Sequence, residues 1–309
     1  MNFRISKLFL SGKDEFMKKR NIYILVAIAV TSFGKALYAG EAGSTLVPIK
    51  NWSGLYMGIN GGYTFPASQS ATTTPYLISN AGSSAAISSA SASMSGAMNS
   101  FSIANNGFVG GGQLGYRYNF LQNLVTGLEA DIQGNWGAHQ SKPYTSNVPL
   151  QYYPYISVIS NVTVNKRIAY FGTFRAQLGY LLKQNLLASA STGLAYGSTR
   201  SNTTIYQSFG GPDPHTGGGD NWSTTGDYSK TRVGWAAGMN LEWMFRSNWS
   251  ARVEYLYYEL GSVIYQNGIL MNNYTAQGAL PGQPIFTNGV STKIHFNDQI
   301  VRIALNHYF

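Results

Sequence analysis

The chain has 309 residues, of which 11% are charged, with 35 Gly, 22 Tyr, 15 Phe, 6 Trp and no Cys. That balance is poor for an ordinary soluble surface, and the lack of cysteine excludes a disulfide framework and thiolate chemistry. Seven of the 21 Lys/Arg and two of the 12 Asp/Glu precede Gly40, so the formal +9 falls to 14 basic against 10 acidic residues beyond it. An excess that small, spread without a run, argues against nucleic-acid binding.

Met17-Lys18-Lys19-Arg20 followed by the apolar residues 22–30 reads as the start and hydrophobic segment of a secretory signal. Residues 1–39 are therefore taken as an extension plus signal peptide, with Met17 as start and cleavage near Ala39, or at Ala36 or Ala42. Residues 40–51 form a short polar lead, expected to be periplasmic if the signal is cleaved, and residues 52–309 the folded part. The apolar run is shorter than the roughly 20 residues of a spanning helix, so any membrane crossing is by strands.

The first strand pattern is NWSGLYMGINGGYTF, with Leu55, Met57 and Ile59 on one phase and Tyr56, Gly58 and Asn60 on the other. Residues 65–106, including SSAAISSASASMSGAM, carry no sustained alternation and are expected to be a flexible surface loop. GFVGGGQLGYRYNF and LVTGLEADIQG resume the alternation as strands two and three, followed by a polar, Tyr/Pro-bearing stretch to about Val162. The fourth strand is the longest, with Val162, Val164, Lys166, Ile168, Tyr170, Phe174, Leu178 and Tyr180 on one phase, its first half projecting beyond the membrane. LLASASTGLAYG is a weak fifth strand, and residues 198–229 form a Gly/Pro/Asp/Ser loop. KTRVGWAAGMNLEW and WSARVEYLYYEL are the sixth and seventh strands, and residues 261–297 a last loop. The closing strand is QIVRIALNHYF; Ile294 and Phe296 are out of phase with its Val301, which predicts a bulge or strand start near Asn297.

Eight strands result, and their connections alternate between short and long. The short ones end at Asn123, Asn185 and Asn248, which recur every 62 and 63 residues. Short periplasmic turns and long outer loops are the asymmetry of an outer-membrane barrel. The predicted class is all-β: an eight-stranded antiparallel transmembrane barrel with long extracellular loops. A mean hydropathy of −0.11 agrees with strands whose lumen-facing polar residues dilute their apolar faces.

The inward positions collect Arg117, Glu129, Asp131, Arg175, Arg232, Glu242, Arg252, Glu254 and Arg302. An eight-stranded interior is just wide enough for side chains to fill, so these charges are expected to pair across it as a structural polar core. The sharper alternative is a narrow passage for small solutes. Trp52, Trp235, Trp243, Trp249, Tyr255, Tyr257 and Phe309 are expected to form the interfacial girdle.

No enzyme is expected, because none of His139, His215, His295 and His307 has an Asp/Glu or Ser partner at a spacing that fixes geometry. No metal site is expected, since no two histidines lie at i, i+2 or i+4. Haem capture is the remaining ligand reading, with His139, His215, Tyr152 and Tyr153 as candidates in loops. No cofactor is assigned.

NWSGLYMGINGGY, GLEADIQG, FGTFRAQLGY, GLAYG, TRVGWAAGMNLEW and the terminal aromatic strand, in that order, resemble the small porin-like outer-membrane barrel family. It contains the major surface antigens of Brucella and rhizobia and the haemin-binding proteins of Bartonella, and is akin to opacity and OmpA-like barrels. The resemblance covers residues 51–309. It implies a barrel in the outer membrane of a Gram-negative bacterium, inserted by the barrel-assembly machinery and surrounded by lipid and lipopolysaccharide. It also implies roles as structural anchor, weak porin, surface antigen or haem binder, with host or surface ligands met through the loops. The chain departs from the family in its long Ser/Ala first loop and Tyr-rich second loop.

Overall fold

The period-two segments fold as strands whose backbone hydrogen bonds close on themselves. The computed structural model describes residues 52–67, 70–103, 106–137, 141–211, 221–272 and 285–309. The expected leader, with Met17 and Ala39, lies outside them.

The wall is a ring of eight antiparallel strands: β1 (Gly54–Pro66), β4 (Gly107–Leu121), β5 (Leu124–Gly137), β7 (Ser157–Lys183), β8 (Leu186–Gly210), β9 (Asn221–Arg246), β10 (Trp249–Asn272) and β11 (Phe286–Tyr308). β11 pairs back onto β1, Tyr308 opposite Tyr56 and Val301 opposite Tyr63, which closes the barrel. Closure is what lets strands cross a bilayer, since no edge is left unpaired in lipid. No described helix is long and apolar enough to span a membrane.

The outer face of the ring is apolar. Ile59, Phe108, Trp136 and Ile303 are 66–71% exposed, on a continuous band far larger than the patches a soluble monomer tolerates. β1, β4 and β5 are 13–15 residues long, whereas β7 to β11 have 23–27. At about 3.3 Å per residue and a tilt near 40°, the longer strands rise roughly twice the thickness of the hydrocarbon. The stretches expected as loops at 198–229 and 261–297 are therefore largely strand, and β7 starts five residues before Val162.

Three further strands and a helix build the extracellular half. β2 (Ser70–Asn80) pairs with β11 above the point where β1 leaves it, and β3 (Asn99–Ser102) adds to β2. β6 (Ser141–Pro149) succeeds β5 on β7. β9 and β10 stop pairing at Trp235 opposite Glu259. Above the membrane the wall thus parts into two four-stranded ladders, β6-β7-β8-β9 and β10-β11-β2-β3.

The segment expected to be a flexible loop at 65–106 holds β2, β3 and α1 (Ser84–Ala97). Ser83 caps the helix by accepting the Ala86 N–H at 3.1 Å. The helix is uncharged and packs against β2, β6, β7 and β11, burying Ala86, Ala90, Ala97, Ser88, Ser89 and Ser93. Its exposed stripe is Ser84, Ile87, Ser91 and Ser95, and the rest of its surface is buried or half-buried; small side chains without charge signal close packing here, not mobility. Around it lie Val158, Val162, Ile205, Val290, Ile294 and Phe296 in one apolar core.

Two phase expectations are corrected. In β7, Tyr170 to Tyr180 face outward as expected, but Val162, Val164, Lys166 and Ile168 are buried. Ile168 pairs with Thr199 and Phe171 with Gly197, so β7 carries one extra residue, and such a bulge turns the following side chains to the other face. The bulge expected near Asn297 lies across from it instead. Glu259 pairs with Asn297 and Ser262 with His295, which places the extra residue in β10, where Gly261 supplies φ +82°. β11 itself runs unbroken, and its Ile294 and Phe296 share the buried face with Ile300.

Candidate functional site

The barrel interior at membrane level is where the sequence places its charges. Alternation in β4, β5, β7, β9, β10 and β11 sends Arg117, Glu129, Asp131, Arg175, Glu242, Arg252, Glu254 and Arg302 inward, and each is buried. Four cations meet four anions. Arg175 bridges Glu129 (2.6 Å), Asp131 (3.0 Å) and Glu254. Arg302 reaches Asp131 (2.8 Å) and Glu254 (2.7 Å). Arg252 joins Glu129 (2.5 Å) to Glu242 (2.8 Å), and Arg117 reaches Glu242 at 2.8 Å. Each carboxylate therefore touches two guanidinium groups, an arrangement that offsets the cost of taking ions out of water.

The two strands that send no charge into this layer join through hydroxyls. Tyr56 of β1 donates to Glu129 at 2.6 Å, and Arg175 donates to Ser191 of β8 at 3.0 Å. One layer of side chains thus ties all eight wall strands together.

Below it, Tyr56 and Tyr308 lie 5.2 Å apart and Trp52 meets Tyr308 edge-on at 6.0 Å. The Trp52 indole N–H donates to the Gln184 carbonyl at 3.0 Å, and its ring is fully buried. The expectation of Trp52 as a girdle residue is corrected: it floors the lumen. A tryptophan just ahead of a strand fits either position, and only the fold places it. Trp235, Trp243, Trp249 and Phe309 are exposed on the outer face, with Tyr255 and Tyr257 half-buried beside them.

Arg232 also departs from expectation. It stands at the parting of β9 and β10, where Nε donates to the Leu260 carbonyl at 2.7 Å and Nη1 to Tyr228 at 3.4 Å. The lattice below it is balanced without it. Lys166, expected on the phase of Tyr170, is turned inward by the β7 bulge to lie 3.7 Å from Asp298 and 5.6 Å from the Phe296 ring centroid.

Above the lattice the lumen is filled by α1. Ser93 donates to Gln207 at 2.6 Å, and Gln207 returns a bond to the Ser93 carbonyl at 2.8 Å. Trp222 donates to the same Gln207 at 2.8 Å, while Asn288 donates to Ser93 Oγ (3.1 Å) and the Ala90 carbonyl (3.2 Å). Ser146 on β6 donates to the Gly96 carbonyl at 3.0 Å. Helix and wall are thus pinned by side chains of both ladders. Burial in this core pushes the Tyr265 phenol above the usual tyrosine range, and hydrogen bonds with Ser201 and Thr203 oppose that rise.

The expectation that no histidine meets a carboxylate or serine fails at His295. On the outer wall its Nδ1 lies 2.6 Å from Ser262 Oγ and its Nε2 2.9 Å from Glu259. Tyr257 (3.0 Å), Asn297 (3.3 Å) and the Gly261 N–H (2.9 Å) also donate to Glu259. These groups clasp the β10 bulge, and none of the spacings is visible before β10 and β11 are in register. His307 is exterior near the barrel base, its ring 4.9 Å from Trp249 and 4.8 Å from Phe309. Of the haem candidates, His139 and His215 lie outside the described residues. Tyr152 is exposed with its backbone N–H on Ser88, and Tyr153 packs against the extracellular core.

No protein-family model matches the chain. Over 260 residues, 84% of either chain, it is 28% identical to the 31 kDa outer-membrane immunogenic protein of Brucella melitensis, and equally to that of Brucella suis. Among solved structures it is similar to Ail, the attachment invasion locus protein of Yersinia pestis, with 11% identity, 81% of this chain and 99% of that one covered, and TM-score 0.25. Neisserial surface protein A gives 11%, 83%, 98% and 0.29, and the outer-membrane protease OmpT of Escherichia coli 8%, 86%, 99% and 0.24.

Proposed function

We propose that this outer-membrane β-barrel, a relative of the Brucella 31 kDa immunogenic protein, is a structural, surface-exposed wall protein with at most weak porin activity. One observation carries the reading: the lumen is filled twice, by a neutral lattice of eight charged side chains at membrane level and by a buried helix above it. A water-filled pore needs side chains that leave room for a solute. Here each guanidinium and carboxylate of the lattice is engaged by its opposite, and α1 seats against both extracellular ladders. The tall extracellular half offers rigid surface rather than a vestibule.

In this role its surroundings are outer-membrane lipid and lipopolysaccharide, and its assembly partner is the barrel-assembly machinery. Planar bilayers test the reading. The purified folded protein is expected to be electrically silent up to potentials that leave the bilayer intact. Regular conductance steps that vanish on boiling the sample would overturn it.

A further inference from the structure

On the outer wall of β7 the apolar band ends at Tyr170, and the next exterior residues are Arg167, Asn165, Thr163 and Asn161. On β8 it ends at Tyr196, with Arg200, Asn202 and Thr204 above. Arg167 and Arg200 are directly opposite one another in the ladder, both exposed. Like charges at directly opposed positions destabilise a sheet. Among the described residues neither guanidinium makes an ion pair or hydrogen bond. The nearby carboxylate on this face, Asp227, lies two residues along β9 from Ser229, the partner of Arg200, and takes its hydrogen bond from Asn202 at 2.8 Å.

The second place where the exterior turns from apolar to polar is different. Around Glu259, the groups Tyr257, Gly261, His295 and Asn297 supply every complement within the protein. One boundary cluster is satisfied internally; the other presents two forked cations whose nearby carboxylate, Asp227, is bonded to Asn202 instead.

We propose that Arg167 and Arg200 form a binding site for the phosphate of a phosphorylated outer-leaflet lipid headgroup. The site rests on the reading above, since it needs the wall seated in the outer membrane with its short turns inward. Headgroup phosphates lie immediately outside the hydrocarbon, where this pair stands. Two planar guanidinium forks match a phosphate's oxygens, and the anion cancels the repulsion between them. The exposed Tyr170, whose hydroxyl lies 3.4 Å from Thr231 Oγ1, would meet the upper acyl chain.

The test uses the full folded chain in zwitterionic detergent, with native mass spectrometry of added diphosphoryl lipid A, its dephosphorylated form and inorganic phosphate. The wild type is expected to retain diphosphoryl lipid A and to lose it as salt rises. Arg167→Gln with Arg200→Gln should weaken retention about tenfold or more, the loss of at least one charge-assisted bond. Lys293→Gln, an exposed cation elsewhere on the wall, should leave it unchanged. Dephosphorylated lipid A binding as well as the diphosphoryl form, or equal retention by the double variant, overturns the site. Displacement by inorganic phosphate at equal concentration reduces it to a free-anion site and overturns the lipid assignment.

Thermal melting gives an independent reading if the double variant folds poorly. Arg200→Gln alone is expected to raise the midpoint in detergent, where the like-charge pair only repels, and lower it once lipid A is added. A shift of the same sign in both media overturns the proposal. Conductance is recorded on the same samples, so a barrel that conducts yet holds lipid A through the pair overturns the closed-lumen reading alone.

Discussion

The two halves of the barrel solve opposite solvent problems with the same strands. At membrane level apolar residues face outward and the interior is a lattice of ions; above it the interior is mainly apolar and the exterior mixes polar residues with isolated apolar ones such as Ile264 and Ile269. In β7 the apolar stripe stays on even positions from Val158 to Tyr180, yet it is buried up to Ile168 and lipid-facing from Tyr170. One extra residue between those two turns the stripe over at the membrane boundary. β10 does likewise: Trp249 to Tyr257 line the exterior, and beyond Gly261 the same odd phase carries Val263 and Tyr265 into the core. β11 has no bulge at that level and changes phase in its sequence instead. An inversion is made either in the backbone or in the residue pattern, and an unbroken pattern can mark the bulged strand.

The contrast can be broken hardest at the lattice. Arg175→Met leaves Glu129, Asp131 and Glu254 short of a counter-ion, and removing one partner of a buried ion pair costs about 3–5 kcal/mol. Urea unfolding in lipid vesicles, followed by the heat-modifiable gel band, should show that loss while the variant still melts in one step. A cost below about 1 kcal/mol would mean the lattice is wet and shielded.

Gly261→Val attacks the inversion itself. A β-branched residue at φ +82° is strained, and its Cβ would stand 3.0 Å from the Arg232 guanidinium, so a loss of about 1–3 kcal/mol is expected. Hydrogen exchange should localise the damage to the extracellular half of β10 and β11. Uniform loss along both strands would show that the two halves unfold together.

Ser93→Ala is a sharper probe of the plug. It leaves the Gln207 side-chain oxygen with Trp222 alone and removes an acceptor from Asn288, for about 1–2 kcal/mol. Faster exchange of the α1 amides with an unchanged membrane half is the expected signature. Ser83→Ala, at the helix cap, should cost about 1 kcal/mol and fray only the first turn of α1. His295→Ala, which frees one of several donors to a half-exposed carboxylate, should cost a few tenths of a kcal/mol by the same unfolding assay.

Much of the fold is legible because its signal is local. Alternation over 10–15 residues, three short turns closing on Asn123, Asn185 and Asn248, and charges confined to one phase define an eight-stranded ring and its polar lumen without any tertiary knowledge. Helix α1 left no such signal, since Ala and Ser carry no face to read, and its burial depends on Gln207 and Asn288, more than a hundred residues away. Trp52, Arg232 and His295 depart from expectation for a related reason: Gln184, Leu260 and Glu259, which fix them, lie 28 or more residues away in the chain.

The amino-acid order alone settled how many strands cross the membrane, which side of the charge-bearing ones meets lipid there, and that the interior would hold mixed charge. Tertiary structure decided where the faces exchange roles, what stoppers the mouth and which ion meets which. A strand's two sides follow from its own dihedral repeat, whereas a bulge, a register and a plug exist only once a neighbouring strand is paired against it.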